Sequence, residues 1–342
     1  MSAPAVPRRV RWGLALALLL LAPVCAEYLT GYDTSTGDPA ALLAGLLVLA
    51  PLYGAPALLV REAARRLDLG WPGVLALAAA FGTVQAGVVD QSVFTTSYRD
   101  IDYWTELFLP TYVETLGLGV QPALAFVTGH AVFSYGAPIA LVEHLSPDAA
   151  RRPWLRRPGL VAAALLYLTA AWLVRDDHLR TQAEQATAAQ VAGSLAVAAL
   201  LVLLALTLGR RRAVRRGAAV PGPLLTGLLA AAAAAAFALV PPTWPGTVLA
   251  GAVLAAGGVG FARWGRSERW DGRHAVALAS GALAAQAAIG FFVEPLGEVA
   301  PGAKYAHNTV CLAGVLLLGW WAARRSSPPR QGETRAHAGG RG

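Results

Sequence analysis

Charge, lysine and cysteine are all scarce in this chain. Only 14% of its 342 residues are charged and 56% are hydrophobic, whereas a soluble domain carries about 25% charged residues. No water-soluble core calls for such a composition. The two cysteines, Cys25 and Cys311, are too few for a disulfide scaffold or a four-cysteine zinc site. Both fall inside apolar stretches and read as small buried hydrophobes. There is no HExxH zinc motif, no GxSxG nucleophile elbow, no CxxC pair and no glycine-rich phosphate loop. No cofactor and no bound metal are therefore expected. Long polar segments are missing too, apart from a loop near 95–120 and the tail that follows Arg324.

What fills the chain is a series of apolar stretches. They lie near 12–29, 40–60, 72–94, 121–144, 158–174, 189–209, 223–240, 245–263, 274–294 and 305–323. Each approaches the roughly 20 residues that a helix needs to cross a hydrocarbon core, the fifth and seventh being the shortest. An outer-membrane barrel would show alternating segments of about ten residues instead. Continuous runs rich in Ala, Leu and Gly leave helices as the spanning structure, because every backbone amide must find its partner within its own segment. The expectation is an all-α polytopic bundle of about ten transmembrane helices over 1–324, followed by a disordered cytoplasmic tail at 325–342.

Arginine, at 27 residues against one lysine, marks the edges of these stretches. Alternate loops and the two ends collect 24 Lys and Arg residues, against Arg99, Arg175, Arg180 and Lys304 in the other loops. The positive-inside rule then places both termini in the cytoplasm and the 95–120 loop outside, as a multi-pass protein of the plasma membrane. The net charge of +8 is thus a topological signal with the lipid bilayer as its partner, and nucleic acid is not indicated. The oligomeric state is not legible. Arg8, Arg9 and Arg11, with the apolar run to Ala22 and small residues before Glu27, also fit a cleavable signal peptide, which would leave nine helices.

Ionisable groups inside a bilayer cost about 2.5–3.5 kcal/mol each on insertion scales, which makes them candidate functional residues. Glu27 ends the first stretch, Asp90 and Gln91 lie near the outer end of the third, and His130 sits deep in the fourth. Glu294 ends the ninth, and His307 and Asn308 open the tenth. Gln85 and Gln286 lie deeper and could continue a polar path. Helical spacing groups Thr83, Gly87 and Asp90 on one face, His130 with Ser134, Gln286 with Gly290 and Glu294, and His307 with Cys311. Carboxylates with imidazoles can relay protons or hold a cation. The competing reading is structural: Glu27, Glu294 and His307 at the interface, where ionisation costs little, and His130 in a hydrogen bond between helices. Glu143 and His144, beside Ser146-Pro147-Asp148, read as a helix terminus at the headgroups.

Between Tyr98 and Glu114 aromatic and acidic residues interleave, and Trp104, Leu107 and Phe108 share a helical face. A short helix on the outer surface is expected there, as an interfacial anchor or a lid. Trp71-Pro72-Gly73 and Trp244-Pro245-Gly246 open the third and eighth stretches. They either echo an inverted repeat or are two independent helix starts. Small residues at four-residue spacing, such as Gly251 and Ala255, argue for close helix packing.

The segments LYGAPALLVREAARRLDLGWPGVLALAAAFGTVQAGVVDQSVF, residues 52–94, and GHAVFSYGAPIALVEHL, residues 129–145, resemble an uncharacterised group of bacterial multi-pass membrane proteins. A looser similarity runs to the CPBP intramembrane proteases, through Phe126 and His130 as an FxxxH element. The glutamate pair of those proteases is absent, with Gln85-Ala86 where it would be sought, and His307 is not followed by Asn or Asp four residues on. That resemblance implies shared architecture without the general base of a protease. The best functional expectation is a small-solute transporter or permease-like bundle, with a solute or ion passing the polar residues. The alternatives are a non-catalytic membrane scaffold, or a membrane-embedded enzyme using His130 with nearby carboxylates.

Overall fold

The structure, a computed structural model, describes residues 6–210 and 219–326. All ten apolar stretches form helices: α1 (Arg8–Tyr28), α2 (Pro39–Arg66), α3 (Trp71–Val89), α4 (Val120–Leu145), α5 (Arg157–Thr181), α6 (Ala188–Thr207), α7 (Pro223–Ala238), α8 (Trp244–Trp264), α9 (Gly272–Phe292) and α10 (Pro301–Arg325). The chain is an all-α polytopic bundle. Nine of these helices are long and apolar enough to cross a membrane. The exception is α7, whose 16 residues extend about 24 Å at 1.5 Å per residue. The fifth stretch is longer than its hydropathy shows, because Arg175, Asp176, Asp177 and His178 continue the helix. Helix α10 runs through Arg325, one residue past the expected domain end; the tail expected from 325 lies from residue 327 onward outside the described residues.

Local signals set the helix ends. Asp38 caps α2 by accepting from the amides of Ala40 and Ala41 at 2.9 and 3.1 Å, with Pro39 in the first turn, where its missing N–H costs nothing. Thr187 with Gln190, and Asp271 with His274, form capping boxes on α6 and α9. Both Trp-Pro-Gly triplets are helix starts with proline in the first turn, Thr243 capping the second by accepting from Gly246.

Helices α1 to α5 surround one core built from Leu18, Val60, Val74, Ala78, Tyr135, Ile139 and Tyr167. A second core joins α4 to α9 and α10 through Leu141, Val276, Leu283 and Val315. Helices α1 and α4 belong to both, α1 through Leu18 and Cys25, and so tie the two cores together. The most apolar windows of α3 and α4 are each 56% buried, against 11% for α8, so α8 lies at the periphery. Helices α7 and α9 meet at Gly227 and Gly281, where a Cβ on Gly281 would stand 2.1 Å from the Gly227 carbonyl oxygen; only glycine permits that approach.

The loop between α3 and α4 contains the expected short helix, Trp104–Phe108, and a two-stranded antiparallel ladder, β1 (Tyr112–Val113) with β2 (Leu118–Gly119). Its aromatic face turns inward. Trp104 and Phe108 are buried, the Trp104 indole donates to the Thr95 carbonyl at 2.8 Å, and the rings of Tyr98, Phe108 and Phe126 pack on Trp104. The segment is a plug over the end of α4, because stacking on protein removes more ring surface from water than lying on headgroups.

Candidate functional site at the π-helical breaks

Four successive helices lose their α-helical register, α1 and α3 in their last turns and α2 and α4 near mid-length. Val24–Tyr28 of α1, Ala50–Gly54 of α2, Gln85–Val89 of α3 and His130–Gly136 of α4 are wound as π-helix. Prolines account for two of them. A proline ring collides with the carbonyl four residues earlier, and Pro56 and Pro138 stand four residues after Leu52 and Ser134, inside the widened turns. Such bulges are frequent at functional sites, and each here carries a polar side chain: Glu27, Tyr53, Gln85 and His130.

The His130 ring is the centre of this group. Its Nδ1–H donates to the Phe126 carbonyl at 2.7 Å, and since a carbonyl only accepts, the neutral ring carries its proton there. Nε2 is then an acceptor, and it is buried without a partner. The ring stacks on Tyr53 at 5.8 Å and 23° and lies 6.3 Å from Tyr135. Gly82 of α3 makes room for it, because a Cβ there would meet the His130 Cβ at 2.7 Å.

Two carboxylates lie near Tyr53, the ring that stacks on the imidazole. Glu27 accepts a hydrogen bond from the Tyr32 hydroxyl, and the Tyr53 hydroxyl reaches it as well. Asp90 accepts from the Ser92 amide at 3.0 Å and, at a long 3.4 Å, from Gln85 Nε2. The side-chain Oε1 of Gln85 is buried without a partner. Glu27 and Asp90 both lie within electrostatic range of Tyr53, Tyr98 and Tyr135, so they share one region. Outside the spans, burial and the charge of Asp90 push the Tyr98 phenol up, Arg99 opposing. The Tyr32 phenol is raised chiefly by the neighbouring Glu27 charge.

The remaining sequence candidates separate. Ser134 is buried one turn below His130. Gln91, with a left-handed φ of 56°, accepts from the Ala186 amide at 2.5 Å and ties the α5–α6 connection to α3. His307 donates through Nε2 to the Tyr28 carbonyl at 2.7 Å, with Cys311 Sγ 3.5 Å from the same nitrogen. Asn308 donates to the Gly290 carbonyl at 2.8 Å, while its own carbonyl oxygen is buried and unpartnered. Both residues hold carbonyls released where α1 and α9 unwind. Gln286 is half-buried in α9. Glu294 does not continue its stripe: α9 tightens to a 3-10 turn at Gly290–Phe292 and ends, leaving Glu294 exposed in the loop that follows. Among the described residues, no group of three or more His, Cys, Asp or Glu side chains is placed to hold a metal ion.

At the arginine-rich end of α2 lies a cluster that sequence reasoning did not assemble. Arg61 and Glu62 are fully buried, and Glu143 nearly so. Arg61 pairs with Glu62 at 2.6 Å and Glu143 at 3.1 Å, and its second nitrogen donates to the Ala149 and Ala150 carbonyls. Arg65 grips Glu143 with two bonds of 2.6 Å. Trp154 covers Arg61 at 3.6 Å and donates its amide to Glu62 at 2.7 Å. Glu143 does stand in the last turn of α4, but buried and paired, as the clasp between α2 and α4. One signal was present in the sequence: Tyr53-Gly54-Ala55-Pro56 and Tyr135-Gly136-Ala137-Pro138 repeat, and Arg61 and Glu143 stand at the same offset from each. The repeat thus produces both the tyrosines flanking His130 and the clasp.

Fold and site together define a polytopic helical membrane protein with polar groups at the π-helical breaks of its first four helices and a buried ionic clasp between α2 and α4. A family model described as an uncharacterized membrane protein family matches residues 16–293, and the chain belongs to that family. No curated protein and no solved structure matches it. The similarity to CPBP proteases gains no support from these comparisons.

Proposed function

We propose that this membrane protein is a transporter or permease-like bundle for a small polar solute, with Glu27, Tyr53, Gln85, Asp90 and His130 as its site. The observation that carries the reading is the coincidence of four π-helical breaks with four inward polar side chains. Breaks in spanning helices are tolerated where they line a cavity or are buried in protein, and transporter sites are built from interrupted helices. The vacant acceptors on His130 and Gln85, beside two carboxylates, suit a cationic solute or a coupled proton. In this reading the arginine-rich end is cytoplasmic, both termini included, and the Trp104 plug faces outward at the plasma membrane; reporter fusions after Arg216 and Arg324 should both read cytoplasmic. The activity is tested in proteoliposomes that enclose a pH-sensitive dye and are challenged with a panel of small inorganic and organic cations. At least one should drive a dye response that Glu27→Gln and Asp90→Asn remove. Absence of any response across the panel, in folded and inserted protein, overturns the reading.

A further inference from the structure

The arginine-rich end holds a cavity of about 690 Å³ between the start of α3, the end of α4 and the α8–α9 connection. Arg65, Arg151, Arg210 and Arg266 line it, against the carboxylates Glu143 and Asp271. Both carboxylates are already engaged, Glu143 by Arg61 and Arg65 and Asp271 by Arg273 and His274. The Arg266 Nε is buried without a hydrogen-bond partner. Positive charge is thus in excess where an anion would fit.

Trp71, Phe261 and Ala275 line this cavity and also a second one, of about 300 Å³, deeper among α3, α4, α7, α8 and α9. Thr128 and the Trp71 indole apart, the side chains around the deeper space are apolar. Small residues keep it open, among them Ala140 of α4, Ala234 of α7 and Gly257 and Gly258 of α8. A basic vestibule leading into an apolar slot is shaped for a molecule with an anionic head and a hydrocarbon tail.

We propose that this pair of cavities binds one anionic phospholipid of the surrounding bilayer. The headgroup phosphate sits among Arg151, Arg210 and Arg266, and one acyl chain enters the slot between α8 and the body of the bundle. Guanidinium groups match phosphate oxygens in a planar, two-point geometry, and basic pockets between membrane helices recognise anionic headgroups. The peripheral position of α8 follows: lipid, as well as protein, supports its inner face.

The test uses the full chain purified in mild detergent, with bound lipid counted by native mass spectrometry during titration with phosphatidylglycerol or phosphatidylcholine. One equivalent of phosphatidylglycerol should be retained in preference to phosphatidylcholine. Arg266→Gln should weaken that retention about tenfold, the worth of one lost charge-assisted bond, while Arg263→Gln, an exposed neighbour, leaves it unchanged. Gly257→Leu supplies a second variant, since a Cβ at Gly257 meets nothing within 4 Å and the added side chain fills the slot without disturbing its walls. It should lower phosphatidylglycerol retention with the headgroup residues intact. Equal retention of the two lipids overturns the proposal. So does undiminished binding by a folded Gly257→Leu protein, or full competition by glycerol phosphate without an acyl chain.

Discussion

Helices α2 and α4 carry buried polar groups at two levels, the arginine-rich end and the π-helical break, and the two levels treat them differently. At the arginine-rich end the Arg61 guanidinium has a partner on every nitrogen, and both oxygens of Glu62 and of Glu143 accept. Thirteen residues before Glu143 on α4, about 20 Å, His130 Nε2 has none, nor does the side-chain Oε1 of Gln85 on the neighbouring α3, and the Gln85–Asp90 contact is stretched to 3.4 Å. A buried charge with all its bonds made holds elements in place; a buried acceptor costs about 1–3 kcal/mol unless water or a solute meets it. The same Tyr-Gly-Ala-Pro repeat supports a clasp at one level and a site at the other.

Breaking the clasp should have the largest effect. Glu143→Ala leaves Arg61 and Arg65 without their shared carboxylate, and stranding a buried charge costs about 3–5 kcal/mol, enough to abolish most folded protein as read by thermal unfolding in detergent. Removing Arg65 with it, Arg65→Met with Glu143→Leu, leaves Arg61 paired with Glu62 and should recover part of that loss. A double variant as unstable as Glu143→Ala would show that Arg61, rather than Arg65, is the charge that depends on Glu143.

At the π-helical break the expected losses are smaller in stability and greater in activity. Gly82→Ala drives a methyl against His130, an overpacking cost of about 1–3 kcal/mol, and should impair flux by displacing the ring. His130→Ala removes one backbone hydrogen bond and its stacking on Tyr53, about 1–2 kcal/mol, and should abolish flux with folded yield retained. Collapse of folded yield in that variant would instead make the two levels alike and favour the scaffold reading.

Hydropathy alone located all ten helices, since each apolar face must be hidden from water along its whole length. The site was legible by residue and not by geometry. Gln85, Asp90 and His130 stood out as polar residues at depth, but spacing of four and seven put Asp90 with Thr83 and Gly87. The π turn instead pairs residues five apart: the Asp90 amide donates to the Gln85 carbonyl at 3.0 Å, their side chains meet, and His130 faces Tyr135 at that same spacing. In the structure Gly87 faces Ser194 of α6. No 3.6-residue period contains that offset. The clasp was hidden for another reason: arginines at a helix end satisfy the orientation rule whether they reach water or a buried glutamate, and only the fold of residues 146–157 over them decides.

Asp271, unlike these buried groups, is only half-buried. Asp271 caps α9, accepting from the amides of Arg273 and His274 at 3.0 and 3.3 Å. Partial burial works against its ionisation, but the hydrogen bonds from His274 and Arg273 and the Arg273 charge outweigh it and hold the carboxyl below its ordinary value. A depressed value stabilises the fold above the unfolded carboxylate pKa of about 3.9, and that contribution is lost as pH falls through the lower folded value. Asp271→Ala should therefore cost about 1 kcal/mol at neutral pH, the usual worth of a cap. The gap between wild type and variant should hold from pH 7 to 5 in thermal unfolding and close only below about 4. A gap that already closes between pH 7 and 5 would mean that a group other than the Asp271 carboxyl sets the strength of the cap.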